Sequence, residues 1–112
     1  MHNNKYRAKK TSVNGITFDS RGEAKRYSHL LLLLKAKKIS NLELQPRFLL
    51  QEKDVVNGEH IRAIYYVADF KYEENGKTII EDFKGVETEV FKIKRKLFLK
   101  KYGLEYELRI IK

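Results

Sequence analysis

The stretch YYVADFKYEENGKTIIEDFK, residues 65–84, decides the fold because it contains two strands and the turn that joins them. Residues 61–72 are rich in Ile, Tyr, Val and Phe at odd and even positions alike, which predicts a central strand buried on both faces. Glu74-Asn75-Gly76-Lys77 predicts a tight turn. Residues 78–84 predict the next strand, which forms a hairpin with the previous one.

The segment before this hairpin predicts a basic N-terminal arm with a short hairpin, residues 1–17, and then a helix. Asn14-Gly15 is a two-residue hairpin signal between short apolar runs. Ser20-Arg21-Gly22-Glu23 has the spacing of a helix-capping box, so we expect a helix from there to about Lys38.

Three further segments complete the predicted order of elements. Residues 42–50 alternate apolar and polar side chains and predict a strand, with Pro46 at its edge or at a bulge. Asn57-Gly58 predicts a turn, residues 89–102 a second helix, and residues 105–111 a last strand. The apolar residues of the second helix are expected to form one stripe: Val90, Ile93, Leu97 and Phe98.

The resulting order, α-β-β-β-α-β, predicts an α/β (α+β) fold in which helices flank a mixed sheet. The absence of internal repeats and of Gly/Ser-rich linkers favours a single domain over residues 18–112.

Composition restricts the partners of the protein. The chain has 112 residues and a net charge of +9, from 24 basic and 15 acidic residues, and such a chain attracts polyanions, of which nucleic acid is the usual one. The alternative is a soluble protein that is merely basic. A membrane surface is less favoured because no segment combines a basic face with a Trp/Phe face.

The same composition excludes several kinds of structure. There is no cysteine, which excludes disulfides and thiolate metal sites. The sequence contains no run of about 18 apolar residues, so no transmembrane helix is predicted. The first residues also lack the apolar segment of a secretion signal, so we expect a cytoplasmic protein.

Two acids and a lysine are predicted to lie together on the central hairpin. Asp69 follows an apolar strand, and Asp82 and Lys84 share one face of the next strand with Ile80, whereas Glu81 points the other way. The alternative interpretations are an acid at an exposed strand end and an ordinary salt bridge between neighbours on one face.

Glu23 is the third candidate acid. As the fourth residue of the capping box it has a purely structural interpretation. However, Tyr27, Leu30 and Leu34 lie within about 40° of Glu23 on the helical wheel, so its carboxylate ends the stripe that must face the sheet. A buried carboxylate is costly unless its charge is compensated, and a divalent cation held by oxygen ligands would compensate it.

These residues resemble the PD-(D/E)XK nuclease superfamily. The match consists of Asp69, a gap of 12 residues, Asp82-Phe83-Lys84, and Glu23 on the preceding helix. It departs from the usual pattern in having Ala68 in place of the proline before the first acid, and Asp82 in place of the commoner glutamate.

The chain is also similar to short basic proteins encoded by phages and prophages, and beyond them to Holliday-junction resolvases. The similar segments are KYRAKKT at Lys5 to Thr11, FDSRGEA at Phe18 to Ala24, and LQP at Leu44 to Pro46.

The resemblance implies a restriction-endonuclease-like core and a Mg²⁺-dependent DNA endonuclease acting on branched or recombination-intermediate DNA, with Mn²⁺ able to substitute. It implies that Asp69 and Asp82 bind the metal, that Lys84 holds or activates the attacking water, and that Glu23 completes the site. A homodimer is expected because symmetrical cutting of two strands needs two active sites.

Several further residues are candidates for DNA contact. The basic ones are Lys9, Lys10, Lys92, Lys94, Arg95 and Lys96, for which a solvated basic face is the alternative. Gln45, on the first predicted strand, is a candidate neighbour of the site. Two competing functions remain at this point: a non-catalytic DNA-binding or phage regulatory protein, and a nuclease-like protein that acts only with a partner protein.

Overall fold

The computed structural model describes residues 10–112, which have a mixed α+β architecture. This part of the chain has two helices and ten strands arranged in several sheets. The elements are β1 Thr11–Val13, β2 Ile16–Phe18, α1 Arg21–Lys35, β3 Ser40–Leu44, β4 Arg47–Gln51, β5 Asp54–Val56, β6 Glu59–Ile61, β7 Ile64–Val67, β8 Phe70–Glu74, β9 Lys77–Phe83, α2 Glu89–Tyr102 and β10 Glu107–Ile111. Neither of the helices in these residues is long and apolar enough to span a membrane.

The chain forms two compact units, which divide after Ser40. The prediction that residues 18–112 make up a single nuclease-like domain, preceded by an arm at residues 1–17, stays a prediction.

In the first unit, α1 packs against the hairpin formed by β1 and β2. The side chain of Ser20 accepts a hydrogen bond of 3.1 Å from the backbone N–H of Glu23, which confirms the predicted helix start. The rings of Phe18 and Tyr27 lie 5.0 Å apart and join hairpin to helix.

The predicted end of this helix near Lys38 is wrong. α1 ends at Lys35 because Lys37 adopts a left-handed conformation, with φ of 60°. The backbone N–H of Lys38 then donates to the carbonyl of Leu33, as in a Schellman motif. Glycine is the usual residue at the left-handed position, so a lysine there gave no sequence signal.

Three Asn-Gly pairs form two-residue turns in the described part of the chain, and all three were predicted. In each pair both residues have positive φ, as in the type I′ turns that match the twist of paired strands. Asn14-Gly15 joins β1 to β2, Asn57-Gly58 joins β5 to β6, and Asn75-Gly76 joins β8 to β9.

The second unit contains a four-stranded sheet with the order β10-β9-β8-β3. β8 and β9 are antiparallel, and β9 and β10 are parallel, so the predicted mixed sheet is confirmed. Asp82 lies opposite Ile110 of β10 in this register.

Two predicted strands are in fact broken. The strand predicted at residues 42–50 is divided into β3 and β4, and the strand predicted at residues 61–72 is divided into β6, β7 and β8. With β9, and with β5, which was not predicted, seven strands lie between the helices instead of three. β4 and β7 leave the main sheet and pair with each other.

The strand breaks at Gln45 and Asp69 are linked by hydrogen bonds. The N–H of Gln45 donates to the carbonyl of Asp69 at 2.9 Å, and the N–H of Ala68 donates to the carbonyl of Pro46 at 3.1 Å. Gln45 has φ of 51°, and Pro46 has no N–H to offer. The chain therefore leaves the four-stranded sheet at Gln45, between β3 and β4, and returns to it beside that point at Asp69, between β7 and β8.

α2 packs over β4 and β7 and covers the face of β9 that carries Ile80. The buried core on this side consists of Phe48, Tyr66, Ala68, Ile80, Phe91 and Phe98. The predicted boundaries of α2 are confirmed, but the four residues of its predicted apolar stripe do not share one environment. Phe98 is buried together with Phe91, whereas Val90, Ile93 and Leu97 are exposed. Both sets recur at helical spacing, and packing against Phe48 and Tyr66 selects the aromatic pair.

Candidate functional site

Asp82 is the most buried member of the candidate site. The residue is only 1% exposed, and its Oδ2 atom accepts a hydrogen bond of 2.5 Å from the hydroxyl of Tyr66. The Nζ atom of Lys84 lies 3.3 Å from the same oxygen. The prediction that Asp82 and Lys84 share one face of β9 agrees with this contact.

Asp69 is held against the end of β9 at two points. Its Oδ2 atom accepts a hydrogen bond of 2.7 Å from the backbone N–H of Phe83, and its own N–H donates to the carbonyl of Glu81 at 3.1 Å. These bonds hold Asp69 to the residues on either side of Asp82. The break between β7 and β8 therefore brings the two aspartates together.

Electrostatics at Tyr66 show how close the charged groups are. Burial raises the pKa of the Tyr66 hydroxyl far above its usual value, and the negative charge of Asp82, the hydrogen bond to Asp82 and the charge of Asp69 raise it further. The positive charge of Arg95 opposes this rise in pKa. Tyr66 is therefore a neutral hydrogen-bond donor at ordinary pH.

Lys84 is fixed by its backbone as well as by its ammonium group. Its N–H donates to the carbonyl of Ile111 at 2.8 Å, which ties the residue to the end of β10. Its Nζ atom lies 4.6 Å from the centre of the Phe91 ring of α2, a cation–π contact. The side chain is 27% exposed, so its ammonium group can reach solvent and Asp82 together.

Gln45, the candidate neighbour, meets the site through its backbone. Its hydrogen bond to the carbonyl of Asp69 supports the bend that carries the acid. The side chain is exposed, and the positive φ is one that residues other than glycine rarely adopt. Backbone outliers of this kind cluster at functional sites.

Of three other candidate residues, one belongs to the first unit, one lies outside the described residues and one is exposed. Glu23 belongs to the first unit, and its convergence with Asp69 and Asp82 stays a prediction. Lys9 lies outside the described residues, and Lys10 is exposed.

The basic residues of α2 do not form one face. At 100° per residue, Lys92, Arg95 and Lys96 fall on one side of the helix, which is exposed. Lys94 falls between the buried aromatic residues and the exposed apolar ones, and is half-buried. The Nζ atom of Lys92 also forms an ion pair with Oε2 of Glu89, at 3.1 Å. A DNA contact through α2 would therefore use three of the four predicted residues together.

Sequence reasoning missed the part that Tyr66 has in the site. Tyr66 lies in the segment that was predicted to be buried on both faces, and it is buried, but it also holds Asp82. A buried tyrosine hydroxyl needs a partner, but the sequence does not say which one. β7 pairs with β4 rather than with β9, so no local register links Tyr66 to Asp82.

The donor chemistry of the two aspartates suits a hard cation. Mg²⁺ and Mn²⁺ bind carboxylate oxygens, carbonyl oxygens and water. Both contacts of Asp82 engage Oδ2, and within residues 10–112 no hydrogen bond engages its other oxygen. The same part of the chain contains no group of three or more His, Cys, Asp or Glu side chains that could hold a metal ion. A cation here would rest on Asp69 and Asp82 with other oxygen ligands.

Comparisons with known proteins identify a family but no described activity. No curated protein and no solved structure matches the chain. One family model, described as "Protein of unknown function (DUF1064)", matches residues 3–112. That match covers nearly the whole sequence, and the chain belongs to this family.

Proposed function

We propose that this protein is a metal-dependent DNA endonuclease with a restriction-endonuclease-like core of the PD-(D/E)XK type. The observation that carries the proposal is the position of Asp82. This carboxylate is almost fully buried between Tyr66 and Lys84, and Asp69 is hydrogen-bonded to the next residue of the strand.

The charge balance of this cluster supports a cation. Burying a carboxylate is costly unless positive charge or hydrogen bonds compensate it. The charges of Asp69 and Asp82 both act on the Tyr66 hydroxyl, and Lys84 is the lysine that contacts Asp82 directly. Such clusters of acids beside one lysine are kept in proteins at a cost to stability, which favours a functional explanation.

In the proposed site each residue has one role. Asp69 and Asp82 hold Mg²⁺ or Mn²⁺. Lys84 holds or deprotonates the attacking water, and Tyr66 fixes the orientation of Asp82. When bound, the metal polarises the phosphate and makes water more acidic.

The substrate proposed is DNA, in particular branched or recombination-intermediate DNA. The net charge of +9 favours a polyanion. Arg95 supports DNA binding beside the site, because its charge acts on the Tyr66 hydroxyl. Lys92 and Lys96 lie on the same exposed side of α2. These residues would hold the phosphates next to the bond that is cut.

A second candidate function is non-catalytic DNA binding. It is favoured by the fact that Tyr66 and Lys84 already supply Asp82 with a hydrogen bond and an ion pair, so the acid has structural partners without a metal.

A cleavage assay separates the two functions. Supercoiled plasmid and a four-way junction are incubated with the protein in EDTA, Mg²⁺ or Mn²⁺. We expect cutting only with metal, and a loss of about 100-fold or more in rate for Asp82→Asn.

Glu81→Gln is the matched control for this assay. Glu81 is the preceding residue, is equally buried and also accepts a tyrosine hydroxyl, but it lies on the opposite face of β9. It should cut at nearly the wild-type rate. DNA binding without cutting in either metal would favour the second function, and equal losses in the two variants would remove Asp82 from the site.

A further inference from the structure

The outer edge of β10 has free backbone groups. β10 is an edge strand of the four-stranded sheet, and within residues 10–112 only β9 pairs with it. The N–H of Lys84 donates to the carbonyl of Ile111. Alternation along the strand therefore turns the N–H and C=O groups of Leu108 and Ile110 away from β9. Such unpaired groups at a sheet edge are a template for another strand.

The two edges of this sheet differ in their protection. At the other edge, Asn41 of β3 and Gln45, which follows β3, have positive φ, and Pro46 comes next. Bends and prolines of this kind keep an edge strand from pairing with other chains. β10 contains neither glycine nor proline, and none of its residues has positive φ. Of the two edges, β10 is therefore the one that can accept a strand.

The side chains of β10 match those of a second β10 in one antiparallel register. With Leu108 opposite Leu108, Glu107 lies opposite Arg109, so that acid meets base. In the same register Tyr106 lies opposite Ile110, and apolar meets apolar. Because outward-facing residues must oppose each other, the partner strand can slide only in steps of two residues. One such step in either direction places Arg109 opposite Arg109 or Glu107 opposite Glu107, and like charges repel.

We infer that two copies of this chain pair through β10 in this register and join their sheets into one. The N–H and C=O groups of Leu108 bond to those of Leu108 in the other copy, and the N–H of Ile110 donates to the carbonyl of Tyr106. The side chains of these three residues are half-buried in one copy, and the pairing buries them further. The same strand serves both copies, so the dimer is closed by a two-fold axis.

Arg109 is placed to join the two copies. Within one chain its Nε donates to Glu107 at 2.6 Å and its Nη1 donates to Glu74 at 3.0 Å. No hydrogen bond within residues 10–112 uses its Nη2. In the dimer this nitrogen donates to Glu107 of the other copy, so acids and arginines alternate along the junction. This charge complementarity identifies a second copy, rather than an unrelated strand, as the partner.

The pairing places the two proposed nuclease sites on one face, a consequence that rests on the proposed function. Asp82 lies opposite Ile110 in the register of β9 and β10. A two-fold axis perpendicular to the joined sheet keeps both Asp82 residues on the same face. They lie roughly 20 Å apart, given a strand spacing of about 4.8 Å and a rise of about 3.3 Å per residue. One dimer can therefore hold two cutting sites against one DNA duplex.

Cysteine cross-linking tests the register, because the chain has no cysteine of its own. Opposite residues of an antiparallel pair have Cα atoms about 5.5 Å apart, within reach of a disulfide. Leu108→Cys should therefore form a disulfide-linked dimer in oxidised glutathione. It should do so at least about tenfold faster than Leu32→Cys on α1, which is 66% exposed. Glu107→Cys should link poorly to itself, since its two Cα atoms lie about 8 Å apart, but readily to Arg109→Cys.

Sedimentation velocity without DNA or metal measures the dimer itself. The wild type should show twice the chain mass of 13.3 kDa. Glu107→Arg and Arg109→Glu each place like charges opposite one another and should raise the dimer dissociation constant about tenfold or more. Mixed together, the two variants face each other with opposite charges, so the mixture should dimerise again. Glu59→Arg makes the same charge change on the exposed β5–β6 hairpin and, as the matched control, should leave the dimer unchanged.

Several results would overturn the inference. A wild type that stays monomeric removes the pairing, and a dimer that tolerates Glu107→Arg uses another surface. The register is wrong if Leu108→Cys links no faster than Leu32→Cys, or if Glu107→Cys links to itself as readily as to Arg109→Cys. Thermal unfolding of each variant confirms that it is folded. A dimer that cuts no DNA would contradict the proposed function alone, and a monomer that cuts DNA would contradict the pairing alone.

Discussion

The two faces of β9 carry two neighbouring acids in closely similar surroundings. Glu81 is 0% and Asp82 is 1% exposed, and each accepts a hydrogen bond from a buried tyrosine. The hydroxyl of Tyr72 lies 2.7 Å from Glu81, and that of Tyr66 lies 2.5 Å from Asp82. Burial and a tyrosine bond are therefore common to both faces and do not identify a functional acid.

The difference between the faces lies in the charges around each acid. On the Asp82 side, Lys84 contacts the carboxylate and both Asp69 and Arg95 act on the same tyrosine. On the other side, register places Arg109 of β10 opposite Glu81, but its guanidinium bonds to Glu74 and Glu107. A pair of acids with a nearby ammonium group is thus the feature that distinguishes the proposed site from a buried structural acid.

Removing either acid should have the largest effect on stability. Asp82→Ala leaves the Tyr66 hydroxyl buried without its acceptor and removes the partner of Lys84, so we expect the free energy of unfolding to fall by about 3 kcal/mol. Urea denaturation measures this loss.

Glu81→Ala is the matched comparison on the opposite face. It removes the acceptor of Tyr72, and we expect a loss of similar size, about 2–3 kcal/mol. If Asp82→Ala left the free energy of unfolding unchanged while Glu81→Ala lowered it, Asp82 would not stabilise the fold through Tyr66. The two acids would then differ in their contribution to stability.

Alkaline pH should reveal the raised pKa of Tyr66. A tyrosine hydroxyl ionises near pH 10 in the unfolded chain, and the pKa in the folded protein is higher because of burial and the charge of Asp82. The folded state therefore retains a proton that the unfolded state loses. This contribution to stability is complete below pH 10 and is lost as the pH rises above it.

The variant Tyr66→Phe isolates this effect from the titration of the many lysines. Between pH 8 and pH 11 the stability gap between wild type and Tyr66→Phe should shrink by about 1.4 kcal/mol, the value for one proton over one pH unit. Tyr65→Phe is the control because, in residues 10–112, the hydroxyl of Tyr65 does not bond to a carboxylate. A gap that stays constant with pH would mean that Tyr66 does not keep its proton in the folded state.

The parts of the fold that sequence predicted correctly depend on local chemistry. The Asn-Gly pairs specify positive φ at adjacent residues, and Ser20 specifies a helix start by its own hydroxyl. The shared face of Asp82 and Lys84 follows from strand alternation alone.

The parts that could not be predicted depend on residues far apart in the chain. Lys37 and Gln45 adopt positive φ although neither side chain favours it, so the helix end and the strand break have no local signal. α2 has two sets of residues at helical spacing, and only the position of β4 and β7 selects Phe91 and Phe98 for the core. The bond from Tyr66 to Asp82 likewise joins two strands that are not paired neighbours.

Lysine substitutions on the Asp82 side should have the smallest effects, and they sharpen the comparison of buried with exposed charge. Lys84 and Lys71 each form an ion pair and a cation–π contact: Lys84 with Asp82 and Phe91, and Lys71 with Glu43 and Tyr106. The ammonium–carboxylate distances are similar, 3.3 Å and 3.6 Å, and both lysines are partly exposed. The two pairs differ in the carboxylate, which is buried for Asp82 and exposed for Glu43.

Methionine keeps the packing of the aliphatic stem and removes the charge. Lys84→Met should therefore lower the free energy of unfolding by about 1 kcal/mol, because the buried Asp82 loses its cation but keeps Tyr66. Lys71→Met should cost less than about 0.5 kcal/mol, because solvent screens the exposed pair with Glu43. Urea denaturation at low and high salt measures both, and only the small Lys71 effect should vanish in high salt. Equal losses would mean that solvent reaches Asp82 as freely as Glu43, so that burial does not strengthen the ion pair between Lys84 and Asp82.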